Sequence, residues 1–543
     1  MDSSLSKTTR RKILFYAILA GVFVLQVWKA FRGMGSADEH FYTTLGYRFA
    51  GDDRMFADDW HIAQMISFFL DPLVSIYLRI THGTEGIQLF MRLVYAVCLM
   101  FTGYVLYLRF EPLKSRAAAA ALIYLLYTPF QIMALSYNTM SVMFVILAVC
   151  AYPDEREEKL RLVITGLFAS FAVINTPYLA LLYVFLTIVM IVKPDWFSRT
   201  RWAYMTLGVL CAMGMFLAYV FLMTAPKDVL ASLGHLIDPS HSGGLHQAAR
   251  NIALLWRFFH LFLPLLVLEV IAAFFLRGKP RELKYRYFRI VLILSVFPMV
   301  YAGLFNSYQE NLGGHGTVLL PAAVCGLVYL ILFDDRSYPA VVFRISVFHA
   351  CMILISSNVG PRTWIAPLIL ACSMTMLFAK TGGKPHLTMM GAVLMILLLY
   401  GKAEDVYDGS GTYNTMVARG PLKGLRDSPA NVQQYYDSLE DIRAINGRHE
   451  KNAVLLTWNC WEYLALNKRI ASFSTYPYFW EEGQMTDAQE LYWEEHPDRL
   501  PSLIYLDRTA AVYDMQESDP WFAGKEKIAE MKNGVLFITE GRK

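Results

Sequence analysis

Thirteen apolar runs divide the chain between Ile13 and Gly401, and short loops, many of them basic, separate them. They fall at 13–31, 86–108, 117–133, 138–152, 160–174, 178–193, 202–222, 251–277, 286–305, 316–333, 339–357, 362–379 and 386–401. About 20 apolar residues at 1.5 Å rise each cross the hydrocarbon of a bilayer. A chain patterned this way folds as a bundle of membrane helices, because only helices and closed barrels satisfy their backbone groups in lipid. Composition agrees: of 543 residues 56% are hydrophobic and only 17% charged, against roughly 25% charged in soluble domains. A soluble enzyme, a disordered chain and a disulfide scaffold are excluded. The net charge of +4 is too mild for a nucleic-acid partner, and much of the basic excess lies beside the spans. Six of the seven cysteines lie in or at the ends of apolar runs, and no CxxC pair occurs, so neither a zinc site nor a disulfide framework is expected.

The basic start, SKTTRRK, and the long first run predict an uncleaved span with a cytoplasmic N-terminus. The positive-inside rule supports this orientation. Segments placed in the cytoplasm hold 23 Lys and Arg, whereas the exterior loops before the last span hold seven. Residues 62–80 are nearly long enough to cross, but counting them would put the basic loops outside. Asp71-Pro72 is expected to break this stretch into two amphipathic pieces at the outer interface.

With an odd number of spans, residues 402–543 lie outside. The reading is a membrane domain over 1–401 with an exterior loop at 33–85, a Gly-rich linker at 402–428, and an α/β domain at 429–543. In the last, 453–457, 470–474, 502–506 and 534–538 read as strands, and 429–446, 459–466, 485–495 and 521–531 as helices.

Charges beside a bilayer are costly and mark function. The first exterior loop gathers six acids and two His within 24 residues: Asp38, Glu39, His40, Asp52, Asp53, Asp58, Asp59 and His61. A solvated loop whose acids pair with Arg48 and Arg54 is one reading; a reaction centre is the other. Asp38 and Glu39 are neighbours at the membrane edge and cannot face the same way on a helix, so one is expected to act and the other to hold structure. Arg92, inside the second span, needs a partner, and a carboxylate of the first loop is the candidate. The loop 224–250 adds Lys227, His235, His241 and His246, the loop 306–316 adds His315, and Arg362 follows Pro361 at a helix start. A guanidinium there suits either a lipid phosphate or snorkelling to headgroups. In the C-terminal region Trp458, Trp461, Tyr476, Tyr478, Phe479 and Trp480 read as core and interface, with stacking on acceptor sugars as the other possibility.

An Asp-Glu pair directly after the first span (ADEHFY), further acids in the same loop (ADDWH), the Pro72 region, many more spans and an exterior C-terminal domain together resemble the GT-C glycosyltransferases. The layout is similar to that of the protein O-mannosyltransferase and lipid A aminoarabinose transferase families, and ARGPLKGLRD (418–427) is similar to the segment leading into their exterior domain. The resemblance implies transfer of a sugar from a polyprenyl-phosphate donor to an envelope acceptor at the exterior face of a plasma (inner) membrane. It implies Asp38 as general base, with Glu39 the close alternative. Asp58, Asp59 and His61 would form a second acidic or acceptor group. Arg362, Lys227 and His315 are the candidates for the donor phosphate. A divalent cation, Mg or Mn, is left open as a cofactor. The competing reading is a transporter or flippase of lipid-linked sugars.

Overall fold

The computed structural model describes residues 7–539 except 52, 128–131, 154–157, 193–196, 233, 236–244, 306–314, 357–363, 381–384, 404–412 and 477–481. The first helices are α1 (Lys7–Ala30), α2 (Ala37–Ala50), α3 (Ser67–Thr81), α4 (Ile87–Phe110), α5 (Ser115–Leu126), α6 (Tyr137–Ala151), α7 (Lys159–Asn175), α8 (Ala180–Val192) and α9 (Arg199–Met223). They are followed by α10 (Pro226–Ser232), α11 (Leu245–Phe259), α12 (Leu263–Leu276), α13 (Arg281–Leu294), α14 (Val296–Phe305), α15 (His315–Phe333), α16 (Tyr338–Ser356), α17 (Ile365–Phe378) and α18 (Pro385–Ala403). Among the described residues seven helices are long and apolar enough to cross a membrane, and six shorter helices are apolar as well. The chain is a multispan helical membrane protein with a small C-terminal α/β region.

Three expected elements differ. The run 251–277 is two helices, α11 and α12. Pro264 explains the break, because its ring clashes with the carbonyl four residues back, at His260, just past the end of α11. In the same way Pro298 meets Leu294, and α13 and α14 part at Ser295, although Arg281–Ala302 remains one of the seven long apolar helices. Conversely, Pro72 does not break 62–80. A 3-10 turn (Ile62–Ile66) leads into α3, which runs through Pro72, and the stretch Ile62–Thr81 is among the seven long apolar helices. Pro72 lies near the start of α3, where the bond it forfeits is one to Phe68 in the first turn. Asp71 is satisfied by Ser75 Oγ and by Tyr219 Oη of α9, both donating at 2.8 Å.

Beyond α18 come β1 (Thr415–Met416), β2 (Arg426–Asp427), α19 (Pro429–Asn446), β3 (Asn452–Leu456), α20 (Glu462–Ala465), β4 (Arg469–Ile470), α21 (Glu482–Glu495), β5 (Leu503–Asp507), β6 (Glu526–Glu530) and β7 (Gly534–Ile538). The main sheet has the order β4-β3-β5-β7-β6, with β3 parallel to β4 and β5, and β7 antiparallel to both its neighbours. Alternation sorts the strand residues between two cores. Ala453, Leu455, Leu503 and Tyr505 pack with Ile442 and Ile445 of α19. Val454, Leu456, Ile504 and Leu506 pack with Tyr492 and Trp493 of α21. The expected helix at 521–531 is instead strand β6. Asn533-Gly534 closes a hairpin onto β7, with Met531 N–H donating to the Gly534 carbonyl at 3.0 Å, and this dipeptide is a strong hairpin signal.

The α/β region is fastened to the start of the membrane bundle. Gly33 N–H donates to the Arg426 carbonyl at 2.8 Å and Arg426 N–H to the Phe31 carbonyl at 2.7 Å. Met34 N–H donates to the Asp427 carboxylate at 2.8 Å, and Gly86 N–H, before α4, donates to the Gly420 carbonyl at 3.0 Å. The 418–427 segment thus lies against the first loop.

Candidate active site

The site grows out of the turn between α1 and α2. Gly35 has φ +99°, and a Cβ there would sit 3.0 Å from both Arg92 Nη2 and His40 Nε2, so this position accepts only glycine. The turn delivers Asp38 and Glu39 into the first turn of α2. Successive helical residues point about 100° apart, and the two carboxylates meet opposite fates.

Glu39 turns into the bundle. It is fully buried and paired with the Nε of Arg92, which is also fully buried. Gln88 Nε2 donates to the same carboxylate at 2.9 Å. Arg92 Nη1 donates to the carbonyls of Ala30 and Gly33, each at 2.9 Å, and so closes the end of α1. Arg92 therefore has the first-loop partner it needs. The charge of Glu39, the close alternative to Asp38 as base, is thus already neutralised by a guanidinium. His40 is buried beside this pair, with Nε2 2.6 Å from the Met34 carbonyl. Burial drives its pKa down to about 4.

Asp38 turns towards the α/β region, where the hydroxyl of Tyr476, which follows β4, is its electrostatic partner. Burial pushes the Asp38 pKa up, and the Tyr476 hydroxyl pulls part of the way back. Tyr476 is raised in turn, by burial first and then by the Asp38 charge. Tyr42 and Tyr137 also feel the Asp38 charge, and their rings lie 6.2 Å apart. Among the described residues no cation pairs with Asp38. His61 belongs to the surrounding wall: its ring is 4.5 Å from Phe41 and 6.1 Å from Tyr476, while Nδ1 accepts from Ala63 N–H at 3.0 Å.

The second acidic group does something else. Arg48, at the end of α2, pairs with Asp53 at 2.5 Å and Asp59 at 2.7 Å and donates to the carbonyl of Ser472 at 2.8 Å. Arg499, from beyond α21, pairs with Asp53 at 2.6 Å and Asp58 at 3.0 Å. Burial opposes ionisation of Asp58, but the bond from Arg54 and the charge of Arg499 outweigh it and hold the pKa below the usual range. Trp60 completes the joint: it enters the α21 side of the sheet core and stacks on His235 at 4.1 Å. Asp58 and Asp59 therefore clamp the first loop to the α/β region. Two buried guanidinium groups already occupy their oxygens.

Of the residues expected at the donor phosphate, Lys227 is exposed on α10. That helix is joined to the first loop by Asp228–Arg54 at 3.4 Å, and the Thr224 hydroxyl just before it donates to the Met55 carbonyl at 2.6 Å. Arg362 and the side chain of His315 lie outside the described residues, as do His241, the His246 side chain, Tyr478, Phe479 and Trp480. Among the described residues no three His, Cys, Asp or Glu side chains group to hold a metal. Glu39, Asp53, Asp58 and Asp59 of the first loop are already bound to Arg92, Arg48 and Arg499.

Sequence reasoning does not single out Tyr476 and Arg499 for these roles, whereas Arg48 pairs with the loop acids as one reading of the sequence expects. The aromatic cluster at 476–480 is the available signal for the first.

No family model and no curated protein matches the chain. Among solved structures it is similar to the Archaeoglobus fulgidus oligosaccharyltransferase tethered with an acceptor peptide, at 12% identity over 91% of this chain and 69% of that one, with a TM-score of 0.46. It is also similar to ArnT from Cupriavidus metallidurans bound to undecaprenyl phosphate, at 12% identity over 98% of both chains, again with a TM-score of 0.46. At this level no residue or substrate transfers from either.

Proposed function

We propose that the protein is a GT-C-type integral-membrane glycosyltransferase that moves a sugar from a polyprenyl-phosphate donor to an envelope acceptor. In this reading the N-terminus is cytoplasmic, and the α/β region lies on the exterior face of a bacterial inner membrane. The observation that carries it is the isolation of one carboxylate. Glu39, Asp53, Asp58 and Asp59 are each matched to an arginine, whereas Asp38 is met by a phenol.

Asp38 then serves as general base. The acceptor hydroxyl loses its proton to the carboxylate as its oxygen attacks C1 of the sugar. The bond from C1 to the phosphate oxygen breaks, and the lipid phosphate leaves with the electron pair. One base and one departing phosphate give a single displacement with inversion. The leaving group needs no strong acid, only cations nearby, and Lys227, Arg362 and His315 remain the candidates. A raised Asp38 pKa makes it a better proton acceptor while ionised. A donor whose tail stays in lipid also accounts for a site at a helix end beside the membrane.

The test is envelope sugar composition in a deletion strain, in the same strain carrying wild type, and in one carrying Asp38→Asn at matched membrane levels. Loss of one sugar on deletion, restored only by wild type, is the expected outcome. Full restoration by Asp38→Asn overturns Asp38 as base.

One observation favours a carrier of lipid-linked sugars as the second reading. Glu269, midway along α12, is buried with both carboxyl oxygens lacking a partner among the described residues, and intramembrane acids mark transport paths. Loss of lipid-linked sugar translocation in Glu269→Gln, with Asp38→Asn unaffected, would support that reading.

A further inference from the structure

The three parallel strands of the sheet each send one aromatic residue from the loop after their C-terminal end to the same place. Trp458 comes two residues after β3, Tyr476 six after β4, and Tyr513 six after β5. Trp458 is the centre: its ring lies 5.8 Å from Tyr476 at 75° and 5.8 Å from Tyr513 at 64°. All three are half-buried. The chain leaves β3 towards β4 on one side and returns past β3 to β5 on the other. The C-terminal ends of β3 and β5 therefore flank a crevice where crossover direction reverses, the usual place for a ligand on an open α/β sheet.

Two further observations point to a ligand. Tyr513 and Asp514 are consecutive non-glycine residues with φ of +53° and +56°, a backbone conformation that side chains disfavour and that clusters where function demands it. The Thr475 hydroxyl, beside Tyr476, is buried without a partner among the described residues. The crevice lies beside the proposed base, because Tyr476 forms its wall and interacts electrostatically with Asp38.

We propose that this crevice is the acceptor subsite and that it takes a neutral sugar ring, so that the acceptor is a glycan. The inference rests on the glycosyltransferase reading and names its acceptor class. The electron-rich face of an aromatic ring attracts the polarised C–H face of a sugar, and Thr457 and Asn459, which flank Trp458 and are bonded to Asp507 at the end of β5, supply hydroxyl, amide and carboxylate groups of the kind that suits sugar hydroxyls. No cation lies over Trp458 or Tyr476 among the described residues, which argues against an anionic headgroup. Arg508, next to the crevice in sequence, is engaged with Glu517 and Glu530.

The experiment is saturation-transfer NMR on the full-length protein in nanodiscs, with a panel of methyl glycosides of neutral hexoses, pentoses and N-acetylhexosamines as probes. At least one glycoside is expected to receive saturation from wild type and from Asp38→Asn. The signal should fall about tenfold in Trp458→Ala and fall clearly in Tyr513→Leu, which keeps bulk and removes the ring. Unchanged elution and melting of Tyr513→Leu guard against misfolding. Absence of any signal from wild type, or an equal signal from both variants, overturns the subsite. Consumption of polyprenyl-phosphate sugar is measured on the same samples. Consumption without ring-dependent glycoside binding rejects the subsite alone, and binding without consumption rejects the transferase reading.

Discussion

Replacing Arg92 by Met tests whether Glu39 holds structure. Met approximates the length of the aliphatic stem but removes the guanidinium. The Glu39 carboxylate, fully buried, would then keep the Gln88 amide at 2.9 Å while losing its cation. Breaking a buried pair from one side costs about 3–5 kcal/mol. The carbonyls of Ala30 and Gly33 lose charge-assisted donors at 2.9 Å, which places the expected cost near the upper end of that range. Glu39→Gln should cost less, because Arg92 keeps those carbonyls. The double variant, with no buried charge left, should recover a large part of the Arg92→Met loss. Because a stranded carboxylate escapes by taking up a proton, the Arg92→Met deficit should grow as pH rises. Equilibrium unfolding in mixed detergent micelles of wild type, both single variants and the double variant measures all of this. A cost for Arg92→Met below about 1 kcal/mol, or a double variant worse than Arg92→Met, would refute the reasoning.

Three other outcomes are expected. Tyr476→Phe removes the hydroxyl that holds the Asp38 pKa down, so the acid limb of the pH–rate profile should move to higher pH, whereas an unmoved limb would disconnect the two residues. Arg499→Leu leaves Asp53 and Asp58 short of a cation and should expose the 51–61 segment to limited proteolysis, with Asp53→Asn partly restoring protection. In the α/β region, burial and the neighbouring Asp507 charge raise the Glu462 pKa well above its ordinary value of 4.5. The folded state then binds a proton that the unfolded state releases, so this contribution is full below that ordinary value and is lost as pH rises through the raised one. Glu462→Gln should flatten the fall in melting temperature with rising pH, and an equal slope in both proteins would reject the assignment.

Much of the architecture is legible in the sequence because it follows from one-dimensional physics. Apolar run length marks membrane helices, and 429–446, read from its pattern, coincides with α19. The Arg92–Glu39 pair is legible too, since a guanidinium in a span must find an anion and the first loop holds the nearest acids. Expectation and structure part where a local signal is overridden or overlooked. Pro264 is strong enough to divide an apolar run, while Pro72, near the start of α3, is not. Periodicity alone makes 521–531 a helix, although Asn533-Gly534 already announces a hairpin. Asp58 resists assignment for another reason. Its partner Arg499 lies about 440 residues away in sequence, and no local pattern signals that pairing, whereas Asp59 pairs with the nearby Arg48.

The first loop contains more negative charge than the single base of the proposed mechanism requires, and the pairings explain why. A catalytic carboxylate beside a membrane must be partly desolvated to be basic, and desolvation favours protonation. The balance is kept at Asp38 by one neutral donor, the Tyr476 hydroxyl. A cation in its place would make the carboxylate a poor proton acceptor. The donor, however, comes from a region outside the bundle, so its position has to be secured. Arg48 and Arg499 secure it by tying Asp53, Asp58 and Asp59 to both sides of the joint. Arg92 and Glu39 fix the other end of α2. The arginines are thus spent on the neighbours of Asp38, and this leaves Asp38 itself free of them.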